Sequence, residues 1–138
     1  MTVRVLSQQE LRIDNEDDVV SVRRAVRALA ESRGFDSFAT AALTTAVTEL
    51  SRNVWVHARR GKALIEEVTD GVRNGLRVEF QDEGPGIPDI DWAMAGGHST
   101  ASSLGLGLSG TRRLVDEFHI KSEVGHGTLV RITKWKRF

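Results

Sequence analysis

The stretch SSLGLGLSGTRRL, residues 102–114, sets Gly105, Gly107 and Gly110 at the spacing G-x-G-x-x-G. That spacing occurs in the phosphate turn of dinucleotide folds and in the glycine loop of ordinary protein kinases. A dinucleotide fold needs a buried strand running straight into the first glycine. Here the preceding residues, AGGHSTAS, are small and polar, which is loop composition. The 33 residues after Gly105 in a chain of 138 are too few for a nucleotide-binding half-domain. A protein kinase would add an H-R-D loop and a D-F-G, and the chain has neither. What remains is physical: a flexible loop entering a helix N-terminus, whose bare N–H groups can cradle an anion.

The rest of the chain frames that loop. Hydrophobic residues are 40% and charged residues 28%, a balance that suits one globular domain over residues 1–138. Lysine plus arginine equals aspartate plus glutamate at 19 each, so no global field favours nucleic acid or an anionic membrane. The absence of cysteine removes disulfides, thiol catalysis and thiolate metal sites together. The polar, alternating start MTVRVLSQQELRID is unlike a signal peptide, and no apolar run approaches membrane-spanning length. A cytoplasmic protein is expected.

Periodicity predicts the elements. One or two short strands fall in residues 2–13. A helix over residues 16–33 carries Val19, Val22, Val26 and Leu29 at helical spacing, with Gly34 as its stop. Arg23, Arg24 and Arg27 lie on its other face, either solvated or docking a partner. A second helix spans residues 37–57, with Leu43, Val47, Leu50 and Val54 as the buried stripe. Strands at 61–68 and 76–80 form a hairpin around TDGVRNG. A third helix runs to about residue 117, and a last hairpin turns at residues 125–127. Helices cluster without βαβ alternation. The expected fold is therefore α+β: a two-layer sandwich, its sheet mixed but mostly antiparallel, with helices on one face.

Two further stretches give the glycine loop context. DEGPGI, residues 82–87, ends a strand with an aspartate and two glycines. It reads as a surface turn, or as a place where backbone approaches a flat ligand while the carboxylate accepts a hydrogen bond. TELSRN, residues 48–53, puts Glu49 and Asn53 four apart on one helix face, continued by Ala42 and Ala46. That face is a solvated flank, or the wall of a polar recess at the edge of the core. His57, His98, His119 and His126 show no metal-ligand spacing and read as surface or half-buried residues.

Together, Glu49-x-x-x-Asn53, Asp82-x-Gly84-x-Gly86 and Gly105-Leu106-Gly107 resemble the N, first glycine and second glycine boxes of the GHKL (Bergerat-fold) ATPase superfamily. GHGT, residues 125–128, resembles its last nucleotide-contacting segment. Within that group the chain is most similar to the RsbT-like serine kinases of bacterial partner-switching modules. The stretches that carry this are TAVTELSRNVWVHARRGKALIEEV, GLRVEFQDEGPGIPDI, GHSTASSLGLGLSGTRRLVDEFHIKSEVGHGT and the terminal KW. The sister anti-sigma kinases RsbW and SpoIIAB share the boxes. His98 and the ASS before Leu104 depart from the expected pattern.

The resemblance implies ATP with Mg²⁺. Asp82 would accept from the adenine amino group, Gly84 and Gly86 would give the base access beside Ile87, and Thr128 would reach the same region. Asn53 would coordinate Mg²⁺. Backbone at Gly105, Leu106, Gly107 and Leu108 would hold the terminal phosphates. Residues 93–104, with Ser99 and Thr100 touching nucleotide, would form a lid. Glu49 would be the general base for a substrate hydroxyl, with Arg52 beside it pairing with phosphate or with Glu49. The implied substrate is a serine or threonine on a STAS-domain antagonist protein. Once released, the kinase would bind and activate an effector such as a PP2C-type phosphatase. The rival implied by the same boxes is an anti-sigma factor that holds a sigma factor in an ATP-dependent shape. A detached histidine-kinase catalytic domain would need a phospho-acceptor histidine on a dimerisation helix, and none resembles one.

Overall fold

The structure, a computed structural model, describes residues 2–95 and 108–137. Strand β1, Arg4–Ile13, leads into α1, Glu16–Ser32. Asn15 caps α1 in a capping box with Asp18, and Gly34 lies just beyond its end at φ +77°. Val19, Val22, Val26 and Ala30 are buried, while Leu29 is partly covered.

Helix α2, Ser37–Asn53, starts at the Asp36 cap and buries Leu43, Val47 and Leu50 as expected. It does not run on as an α-helix to His57. At Val54–Ala58 it widens into one π-helical turn, closed where the Arg59 N–H reaches the Val54 carbonyl at 3.0 Å and the Trp55 carbonyl at 3.2 Å. Arg59 then takes φ +66°, and the chain reverses into β2.

Strands β2, Gly61–Thr69, and β3, Asn74–Asp82, form the first hairpin. In its turn, N–H groups of Arg73 and Val72 hold the Asp70 carboxyl down to about 2. A short helix α3, Ile90–Ala95, is capped by Asp89, which accepts the Trp92 N–H at 2.9 Å. Helix α4, Leu108–Leu114, ends three residues before the expected residue 117, because Asp116 is already tied to the sheet. Its N–H donates to the Thr133 carbonyl and its carboxylate accepts from the Trp135 N–H at 2.7 Å. Strands β4, Glu117–Glu123, and β5, Gly127–Trp135, close the fold.

The five strands lie in the order β1-β2-β3-β5-β4, and every pairing is antiparallel. Side chains alternate across the sheet, so its two faces differ. Ala63, Ile65, Leu76, Val78, Phe80, Val130 and Ile132 join Val22, Val26, Leu43, Val47 and Leu50 in one core. Each such large side chain contributes about 1.5–3 kcal/mol on burial. The other face carries cross-strand ion pairs, Arg77 with Glu66 and Arg131 with Glu79, both at 2.9 Å. Among the described residues no helix is long and apolar enough to cross a membrane.

Candidate functional site

At the C-terminal end of α2 the helices and the sheet part to leave a recess. Leu50, Asn53, Val54, His57 and Ala58 line it from α2 and the π turn. Phe80 and Asp82 come from β3, Thr128 and Val130 from β5, Leu108 from α4, and Pro85, Gly86 and Ile87 from the loop after β3. The floor is apolar and the rim polar, the distribution expected of a site that takes a flat, partly polar ligand.

The sheet register places the polar groups. Asp82 pairs with Thr128, and Thr128 with Ser122, so the three share one row across β3, β5 and β4. The next row inward is Phe80, Val130 and Ile120. Asp82 Oδ1 accepts the Gly84 N–H at 2.9 Å. Burial pushes the Asp82 carboxyl up, against the Gly84 and Thr128 N–H groups and the nearby His57, which pull it down. Burial pushes the His57 imidazole down, against the Asp82 carboxylate. The lowered imidazole is neutral at neutral pH, so His57 brings no positive charge to the recess beside Asp82.

The loop after β3 is fixed from the other side by the β4–β5 turn. Pro85 O accepts the Gly125 N–H at 3.0 Å, and Ser122 Oγ accepts the Ile87 N–H at 2.8 Å. Gly86 sits at φ +78° with its α-carbon against the Glu123 carbonyl, so a side chain there would be strained and blocked. Gly84 faces Ala58, whose methyl lies 2.6 Å from where a Cβ would stand. Its lack of a side chain lets the loop close against the π turn.

The expected residues thus separate. Asn53, Asp82, Gly86, Ile87, Leu108 and Thr128 converge on the recess; Gly84 braces it from behind. Glu49 is one turn back along α2, half-exposed, with its Oε1 3.9 Å from Arg52 Nη1. Ala42 and Ala46, expected to continue the recess, are buried instead. Ser99, Thr100, Gly105, Leu106, Gly107 and His98 lie outside the described residues, as does most of the expected lid. Ala93, at the start of that lid, is fully buried in α3.

Two residues with no role in the sequence reading belong here. His57 follows Asn53 by four positions, a spacing that puts it on the same helix face. Ser122 carried no signal, because only the register of β4 against β5 reveals its neighbours. Among the described residues no group of three or more histidine, cysteine, aspartate or glutamate side chains could hold a metal. A hard cation held by one carboxamide, phosphates and waters does not need such a group.

Comparison with known proteins matches this architecture. Residues 13–134 match the histidine kinase-like ATPase domain family. The chain is 43% identical to the serine/threonine-protein kinase RsbT of Bacillus subtilis (strain 168), over 94% of this chain and 98% of that one. It is 34% identical to the anti-sigma F factor of Caldanaerobacter subterraneus subsp. tengcongensis, over 67% of this chain and 68% of the other. The crystal structure of the RsbU and RsbW domains of Rv1364c from Mycobacterium tuberculosis superposes with a TM-score of 0.63 at 20% identity. That overlap covers 94% of this chain and 33% of the larger one, a likeness of fold.

Proposed function

The chain belongs to the histidine kinase-like ATPase domain family, and on that premise we propose that it is an ATP-dependent protein serine/threonine kinase of a partner-switching module. Its substrate is a serine or threonine on a STAS-domain antagonist protein. When released from that antagonist it binds and activates a downstream effector, such as a PP2C-type phosphatase. The observation that carries the reading is the convergence of Asn53, Asp82 and Thr128 on one apolar-floored recess, in a chain alike to RsbT over nearly its full length.

The recess suits adenine. Phe80, Val130, Leu50, Val54 and Leu108 give an apolar bed, and Asp82 at its rim accepts a hydrogen bond from an amino group. Asn53, on the polar side, would hold Mg²⁺, which would supply charge neutralisation to the phosphates. Glu49 takes the proton from the substrate hydroxyl. Its pairing with Arg52 is long and exposed, hence weak, and leaves the carboxylate available. Phosphoryl transfer needs mainly positioning and charge neutralisation, which matches a site with so few charged side chains.

The test is incubation with labelled ATP, Mg²⁺ and STAS-domain proteins encoded beside this gene. Label on a serine or threonine of one of them is the expected outcome; no transfer to any would remove the kinase reading. The likeness to anti-sigma F factors favours the second reading, an anti-sigma factor that sequesters a sigma factor. Co-purification of a sigma factor, in place of an antagonist, would select it.

A further inference from the structure

Ser122 is surrounded by groups whose roles are fixed by their chemistry. Its Oγ lies 2.8 Å from the Ile87 backbone nitrogen, 3.0 Å from the Gly127 carbonyl and 2.9 Å from Thr128 Oγ1. A hydroxyl has one proton and two lone pairs. The Ile87 N–H can only donate, so it occupies one lone pair. The Gly127 carbonyl can only accept, so it takes the proton. One lone pair remains for Thr128, and Thr128 must therefore be the donor in that contact. Its own proton is committed to Ser122. Toward the recess, Thr128 Oγ1 has only lone pairs left, in the same row as the Asp82 carboxylate.

We propose that Ser122 is a positioning residue that fixes Thr128 as an acceptor, so that the recess sets two acceptors side by side. Such a pair favours a purine with an exocyclic amino group at the facing edge over one with a carbonyl there. A threonine hydroxyl free to rotate could donate to a carbonyl as readily as it accepts from an amine, and discrimination would rest on Asp82 alone. The inference rests on the adenine-nucleotide reading of the recess.

The test uses calorimetric titration of ADP and inosine diphosphate into the full chain, with a thermal melt of each variant. The wild type binds ADP the more tightly. Ser122→Ala frees the Thr128 hydroxyl and narrows the ADP preference by about tenfold, the worth of one hydrogen bond. Ser122→Thr restores a hydroxyl and with it the wild-type ratio. Thr128→Val also narrows the ratio, and adding Ser122→Ala to it changes the ratio no further. A Ser122→Ala protein that binds both diphosphates more weakly by one common factor makes Ser122 a strut of the loop, and the proposal falls. If Ser122→Ala does not fold, Thr128→Val decides, and an unchanged ratio there overturns the proposal. A folded wild type that binds neither diphosphate removes the nucleotide reading itself, an outcome distinct from an unmoved ratio.

Discussion

Asp82 is half-buried, and the folded chain pays for that charge with part of its stability. Burial raises its carboxyl above the ordinary carboxylate value, so folding favours the protonated form and loses stability as pH rises through the folded value. Once the carboxyl ionises, the folded chain carries that penalty. Asp82→Asn removes the penalty and keeps an oxygen for the Gly84 N–H. The variant without nucleotide is expected to melt at or above the wild-type temperature, while ADP affinity falls by about 1–3 kcal/mol, the cost of a mispaired polar group. Calorimetry and a melt together check both halves. Wild-type affinity for GTP equal to that for ATP would take the base-reading role from Asp82. One turn of α2 separates the next two roles. Glu49→Gln is expected to keep ADP affinity and cut phosphorylation by roughly 10²–10⁴, the range for a lost general base. Asn53→Ala is expected to weaken ADP binding with Mg²⁺ present, and little once the metal is chelated. Full kinase activity in Glu49→Gln would leave Glu49 a surface residue paired with Arg52.

Helices α1 and α2 were legible because their apolar residues recur at helical spacing. Gly34 is the local signal that stops α1, whereas the caps Asn15 and Asp36 emerge only from the structure, where their side chains accept backbone N–H groups. The π turn at Val54–Ala58 was not legible. It follows from packing: Val54 fits against Gly61, where a Cβ would come within 2.6 Å of its methyl, and Ala58 fits against Gly84. The end of α4 was misplaced for the same reason, since Asp116 is captured by β5, which lies far along the chain. In the site, Asn53, Asp82 and Thr128 stood out as motif residues, whereas His57 and Ser122 needed the helix face and the register. The basic face of α1 carries a prediction of its own. Arg23, Arg24 and Arg27 are exposed; Arg27 pairs with Glu31 at 3.4 Å, and none lines the recess. Charge reversal of the three should leave ATP binding intact. It should slow association with a STAS-domain protein or effector, more so at low salt, where unscreened charges steer encounter. Pull-downs at two salt concentrations check this, and unchanged capture of every partner would assign the face to solvent.

The recess is assembled from α2, the π turn, β3, its following loop, α4 and β5, segments that lie from Leu50 to Val130 in the chain. A ligand held there touches both layers of the sandwich at once, so its binding energy is available only to the folded molecule. At a concentration one hundred times its dissociation constant, ADP should add about 2.7 kcal/mol of stability. Unfolding entropy of about 2.1 cal/mol/K per residue turns that, for 138 residues, into a rise of roughly 9 °C in melting temperature. The size of the rise should track each role assigned above. Asp82→Asn shrinks it for ADP whether or not Mg²⁺ is present, because the base is read without the metal. Asn53→Ala shrinks it only when Mg²⁺ is present, because the carboxamide acts through the cation. Adenosine, which lacks phosphates, should give a small rise that chelation leaves unchanged. Scanning calorimetry of the three proteins, each with ADP and with adenosine, with and without chelator, resolves these cases. A wild-type rise that ignores both the chelator and Asn53→Ala would place the metal elsewhere. No rise at all with ADP would mean that the recess, however well shaped, is not the nucleotide site.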